Sequence, residues 1–254
     1  MTYGSGSYYS SIRVKENLFF YVWQGMGNNC NTCLFIDILE GDKPHVIIDP
    51  GSMMNEAKVL CVEELVKAIE INGFRCADIG LIINTHTHSD HCGANQPLVD
   101  MTKSPGSSEQ ADIAMHEEEN KFRKTGGKEM DRWLTALGIE VPTFNPTILL
   151  TEGDLVLGKE EFRVLLTPGH SPGSISLYWK KEKVLITGDV VFYGSIGRTD
   201  FPGGDLASMT KSVQRLSDLD VEYILPGHST EYGSLIEGKQ KVQRNFQSIK
   251  SFLF

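Results

Sequence analysis

Apolar residues along the chain fall into short runs separated by turn signals, the spacing of many strands with short connections. Cys33–Leu39 (CLFIDIL) and His45–Asp49 (HVIID) are runs of strand length on either side of the turn signal Glu40-Gly41-Asp42. Between Glu56 and Asn72 the period changes. Val59, Val62, Leu65, Val66 and Ile69 recur at three- and four-residue steps and Gly73 ends the run, so a helix is predicted. Leu81–Asn84 (LIIN) reads as a short buried strand, and strand-like runs return at Phe162–Leu166, Ile175–Trp179, Lys183–Thr187 and Val221–Leu225. From Gln110 to Gly138 the chain is polar and helix-prone, with Met130, Trp133, Leu134 and Leu137 as an apolar stripe. The first eleven residues are rich in Gly and Ser and are expected to be flexible. No internal repeat, low-complexity tract or linker interrupts the pattern. It predicts one α/β domain over residues 1–254 with a helical insertion around residues 110–138.

Composition narrows the class. Of 254 residues, 40% are hydrophobic and 22% charged, so a sizeable core can form and disordered, collagen-like and disulfide-scaffold proteins are excluded. The 24 basic and 33 acidic side chains leave a net charge of −9 at pH 7. Such a chain repels phosphate backbones and anionic membrane surfaces, so a small-molecule substrate is expected, with no nucleic acid and no membrane. No stretch approaches the roughly 18–20 apolar residues that span a bilayer. Leu18–Trp23, behind Arg13 and Lys15, is shorter than the about 7–15 residues of a secretory core segment. The five cysteines are odd in number and irregularly spaced, which predicts reduced thiols and a cytoplasmic location. Cys30 and Cys33 spell C-x-x-C, but no second pair exists and Cys33 begins a strand, so they are read as packing residues.

Four of the predicted strands end alike. Leu81–Asn84 runs into Thr85-His86-Thr87-His88-Ser89-Asp90-His91 and Phe162–Leu166 into Thr167-Pro168-Gly169-His170. Lys183–Thr187 runs into Gly188-Asp189, and Val221–Leu225 into Pro226-Gly227-His228. Five of the seven histidines thus follow apolar strands, and only His45 and His116 fall elsewhere. In open α/β sheets ligands gather beyond strand carboxyl ends, where loops converge on a rigid platform. Imidazole suits zinc and iron, and a carboxylate can bridge two cations. His86 and His88, two apart on an extended segment, point to one side and can hold one ion, which His170 closes. Asp90 and His91 face a neighbouring position that His228 closes, and Asp189 lies between the two. Seven ligands with room for water predict two divalent ions in a hydrolytic centre, zinc first and iron or manganese as alternatives.

The segments THTHSDH, TPGHSPGS, TGD and PGH together resemble the signature of the metallo-β-lactamase-fold superfamily, and the likeness runs from about Asn31 to the C-terminus. Phe192–Asp205 (FYGSIGRTDFPGGD) is similar to the glyoxalase-II-like hydrolase branch. The resemblance implies a four-layer αββα sandwich with the metals at one edge, and a metal-dependent hydrolase acting on a thioester or related activated ester. Water shared by two cations about 3.5–4 Å apart would fall in pKa from 15.7 to about 7, and the bridging hydroxide would attack the carbonyl. Asp90 is the catalytic candidate that accepts the proton. A thiol leaving group, with a pKa near 8.5, hardly needs a general acid, which tilts the reading toward thioesters. Arg198 and Tyr193 are candidates to touch substrate, although Asp200 or Asp205 could equally hold Arg198 in a salt bridge. The family leaves two alternatives: a persulfide dioxygenase with a single iron, which shares GRTDF, and a lactonase. Lactonases are expected to carry a catalytic tyrosine three residues after the bridging aspartate, where this chain has Phe192, with Tyr193 next. The glutathione-gripping helical domain of full glyoxalase II is not expected in a chain ending at Phe254.

Overall fold

The computed structural model describes residues 6–103, 109–136, 138, 139 and 141–253. Leu137 of the predicted apolar stripe and residues 1–5 of the segment expected to be flexible lie outside the described residues. The chain begins β1 (Tyr9–Lys15), β2 (Leu18–Trp23), β3 (Thr32–Phe35), β4 (His45–Ile48), α1 (Cys61–Ile71), β5 (Ile79–Asn84), α2 (Ser89–Cys92), α3 (Asn95–Thr102) and β6 (Asp112–His116). It continues through α4 (Glu117–Thr125), α5 (Lys128–Ala136), β7 (Ile148–Leu150), β8 (Gly153–Leu157), β9 (Glu160–Leu166), β10 (Ile175–Trp179) and β11 (Val184–Gly188). Last come β12 (Val191–Phe192), β13 (Ser195–Ile196), α6 (Leu206–Ser217), β14 (Tyr223–Pro226), β15 (Ile236–Glu237) and α7 (Lys239–Leu253).

Strands β1 to β7 form a seven-stranded sheet in chain order, and a six-stranded sheet runs β15-β14-β11-β10-β9-β8. Strands β4 and β5 pair in parallel, as do β11 and β14. Parallel neighbours need a crossover connection, and α1 and α6 lie in the two crossovers. The α/β class is as predicted. No helix among the described residues is long and apolar enough to cross a membrane.

The described residues divide into two compact units. The first comprises residues up to 84, 88–114 and 134–148; the second comprises 85–87, 115–133 and 149 onward. In the first, β2, β3 and β4 are buried along their whole length, and α1 turns Cys61, Val62, Leu65, Ala68 and Ile69 inward. Each fully buried aliphatic side chain contributes about 1.5–3 kcal/mol. In the second, α6 gives Met209, Val213 and Leu216, and α7 gives Val242, Phe246 and Ile249, to one cluster with Leu165, Tyr178, Leu185 and Ile224 of the sheet.

Three expectations are corrected. Residues 9–11 are not loose: Tyr9, Ser10 and Ser11 pair with Trp23, Val22 and Tyr21, and the buried Tyr9 ring lies 5.1 Å from that of Trp23. Polar residues on the outward positions of an edge strand gave this stretch the composition of a loop. The insertion is not helical from residue 110, because Asp112–His116 is strand β6 with Ile113, Ala114, Met115 and His116 buried. A short apolar run beside three glutamates carries no visible period, so the strand was hidden and helix begins only at Glu117. The helix predicted from Glu56 begins at Cys61, because Asn55 Oδ1 accepts from Ala57 N and Val59 N, both at 3.1 Å, and holds those residues in a turn.

Candidate metal centre

The candidate ligands His88, Asp90 and His91 belong to the first unit. His88 caps α2, and its carbonyl accepts from His91 N at 2.9 Å and Cys92 N at 3.1 Å, so a single helical turn sets Asp90 and His91 just beyond it. Ligand atoms of Asp90 and His91 lie within 4.8 Å of each other. His91 is fully buried, and its Nδ1 lies 2.9 Å from Asp49 Oδ2. A carboxylate can only accept, so Nδ1 carries the proton and Nε2 keeps the lone pair that binds a metal. Asp49 makes this contact from φ 52°, in the left-handed region that non-glycine residues seldom occupy. Asp90 Oδ2 accepts from Asn28 Nδ2 at 2.7 Å.

The candidate ligands His86, His170, Asp189 and His228 belong to the second unit. The rings of His86 and His170 are 4.8 Å apart and nearly perpendicular. Ligand atoms of His86 come within 4.8 Å of those of His170 and of Asp189. His170 Nδ1 donates to the Arg198 carbonyl at 2.7 Å, which again puts the lone pair that can bind a metal on Nε2. That Nε2 lies 3.5 Å from Asp189 Oδ2, and His228 Nε2 lies 3.5 Å from the same oxygen. These separations are long for hydrogen bonds. Each suits a pair of ligands to the same ion, since zinc bonds of about 2.0–2.1 Å at tetrahedral angles put ligand atoms about 3.4 Å apart. The donors are imidazole nitrogens and carboxylate oxygens throughout, the chemistry of zinc, iron and manganese. The residues present therefore fit a divalent metal.

Two supporting residues escaped sequence reading: Asp49 and Glu119. Glu119, in α4, is fully buried, and burial pushes its carboxyl up against the pull of three donors. Oε1 accepts from Thr87 N at 2.9 Å, and Oε2 from Ser171 Oγ and Gly173 N, each at 2.8 Å. The only sequence signal was a run of three glutamates, of which the other two face solvent. His116 ends β6, is buried, and caps α4 by accepting from Glu118 N at 3.2 Å.

The substrate candidates sit differently. The exposed Arg198 is held by Asp200 through two hydrogen bonds of 2.9 and 2.7 Å, and its guanidinium lies 4.1 Å from the Phe201 ring centroid. Arg198 pulls the Asp200 carboxyl down to about 2. Of the two salt bridges weighed for Arg198, that with Asp200 is formed, while Asp205 caps α6. The Tyr193 ring lies 6.1 Å from that of Tyr232, and its carbonyl accepts from Thr230 Oγ1. All five cysteines are buried and unbridged, and burial pushes the Cys30 thiol up to about 12.

The chain matches the metallo-beta-lactamase superfamily over residues 30–228. It is 34% identical over 248 residues to the acyl-coenzyme A thioesterase MBLAC2 of Gallus gallus, covering 91% of this chain and 80% of that protein. To the hydroxyacylglutathione hydrolase GloC of Haemophilus influenzae it is 30% identical over 218 residues, covering 84% of this chain and 92% of that one. Among solved structures, TTHA1623 in a di-iron-bound form is 30% identical with a TM-score of 0.61, covering 79% of this chain and 88% of that one.

Proposed function

The chain belongs to the metallo-β-lactamase superfamily of metallo-hydrolases, and from that premise we propose that it hydrolyses a thioester or related activated ester with two divalent ions, zinc first. One ion would be held by His86, His88 and His170, the other by Asp90, His91 and His228, with Asp189 shared. The observation that carries this reading is the single Asp189 oxygen standing 3.5 Å from both His170 Nε2 and His228 Nε2, where it would serve as a ligand beside either histidine. Two relatives are named for hydroxyacylglutathione and for acyl-coenzyme A thioesters, which supports the substrate class. The di-iron form of TTHA1623 supports a count of two ions and keeps iron as the alternative metal.

When bound, the cations supply an acidified water and polarise the acyl carbonyl. The chain's own residues do the rest. Asp90, its carboxylate steadied by Asn28, accepts the proton that the water gives up. Asp49 and the Arg198 carbonyl hold His91 and His170 in the tautomer that presents Nε2. A thiol departs as thiolate near its own pKa of about 8.5, so no donor to the leaving group is needed. Arg198 and Tyr193 are the proposed substrate contacts.

The test is elemental analysis of protein purified without added metal, followed by a panel of S-acylglutathione, acyl-coenzyme A and N-acetylcysteamine thioesters. About two zinc ions per chain, and thioester turnover abolished by Asp90→Ala, are expected. One iron per chain with oxygen uptake on glutathione persulfide would overturn the proposal in favour of the dioxygenase.

A further inference from the structure

Glu119 sits outside the ligand set, yet its carboxylate collects donors from two of the loops that carry ligands. Thr87, whose amide Oε1 accepts, directly follows His86; Ser171, whose hydroxyl Oε2 accepts, directly follows His170. Gly173 N adds a third bond to Oε2, two residues farther along the second loop. The approach is close. A Cβ on Gly173 would strike the Glu119 backbone nitrogen, so this turn lies directly against the start of α4. Ser171 is held in place by Ser174, with 2.7 Å between the two hydroxyls and 3.2 Å from Ser171 N to Ser174 Oγ. All three donors lie within the second unit.

The charge type matters as much as the reach. Two of the three partners are backbone N–H groups, which can only donate, so the residue between them must accept on both oxygens. Glutamine offers one acceptor and one N–H₂, and whichever way it turns, one buried amide faces another donor. Aspartate is one methylene too short to meet both loops from the same helix position. Among common side chains, only glutamate at 119 satisfies both loops at once.

We infer that Glu119 is a positioning residue that fixes the His86 and His170 loops relative to each other, and so sets the geometry and affinity of the ion site those two histidines share. This rests on the metal-ligand reading proposed above. Groups that orient metal ligands through one hydrogen bond are typically worth 10–100-fold in metal affinity. Glu119→Gln is therefore expected to weaken one of the two ion sites by that factor and to leave the other nearly unchanged.

The experiment titrates metal-free wild type, Glu119→Gln, Glu119→Asp and a core control, Val213→Ala, with Zn²⁺ against a chromophoric chelator. Co²⁺ absorption of each protein reports the coordination geometry. The expected result is a split: one affinity falls in Glu119→Gln and Glu119→Asp, the Co²⁺ bands of that site shift, and Val213→Ala changes only the unfolding midpoint. Equal affinities and identical Co²⁺ spectra in Glu119→Gln and wild type would overturn the inference, as would a Glu119→Gln that behaves like Val213→Ala. A wild type that binds neither ion would instead overturn the metal-ligand reading, so the two failures are distinguishable.

Discussion

Two stretches of this chain repeat one arrangement. In β4–α1–β5, Asp49 directly follows the first strand of a parallel pair, and His86 comes two residues after the second. In β11–α6–β14, Asp189 directly follows the first strand and His228 comes two residues after the second. The aspartates nevertheless have different contacts. Asp49 stands 2.9 Å from an Nδ1, the distance of a hydrogen bond, whereas Asp189 stands 3.5 Å from two Nε2 atoms, the distance of co-ligands. Placement after a parallel strand brings a carboxylate to the convergent end of a sheet. On the proposed ligand set, which imidazole nitrogen it meets then decides whether it orients a ligand or is one.

The largest effect expected from that distinction belongs to Asp189→Ala. Removing a ligand common to two ions should lower Zn²⁺ affinity by more than 100-fold, beyond the 10–100-fold that outer partners usually contribute. A loss below tenfold in a chelator competition would place Asp189 outside the ligand set. Asp49→Ala comes next, with an expected loss of 10–100-fold. In metal-free protein Asp49→Ala still removes the carboxylate that the buried His91 Nδ1 faces at 2.9 Å, at about 1–3 kcal/mol. Urea unfolding in chelator measures that loss, and an unchanged midpoint would mean that Asp49 does not hold His91.

Seven candidate ligands were legible in the sequence because histidine is uncommon and each candidate follows an apolar run of strand length. Asp49 ends such a run too, but an aspartate before Pro50 and Gly51 reads as turn chemistry, and nothing local shows that His91 turns toward it. Glu119 was less legible still. Its neighbours Glu117 and Glu118 are exposed, and only the fold distinguishes the third glutamate, fully buried against Thr87, Ser171 and Gly173, from the other two. Strand β6 was missed for a related reason, since Ile113, Ala114 and Met115 are too few to display a period. Ligand types carry a signature in composition and spacing. The partners that orient them are ordinary residues whose role comes from contacts distant in sequence.

The smallest effect is expected at Arg198, and it tests the same separation of roles on the longer of the two crossovers. Only the β11–β14 connection carries the β12–β13 hairpin and the loop that follows it, and that loop orients His170. The acceptor is the Arg198 carbonyl, however, which every amino acid at 198 would provide. The guanidinium is exposed, paired with the equally exposed Asp200 and laid over Phe201, and such surface pairs add little to stability because water and salt screen them. Arg198→Ala should therefore leave both the Zn²⁺ affinity and the urea midpoint at their wild-type values. A rise in KM with unchanged kcat would then mark the side chain as a substrate contact acting apart from the metal site. A tenfold fall in Zn²⁺ affinity would show instead that the side chain, through Asp200 and Phe201, holds the carbonyl in place, and that backbone orientation of His170 depends on an exposed ion pair as much as His91 depends on a buried carboxylate.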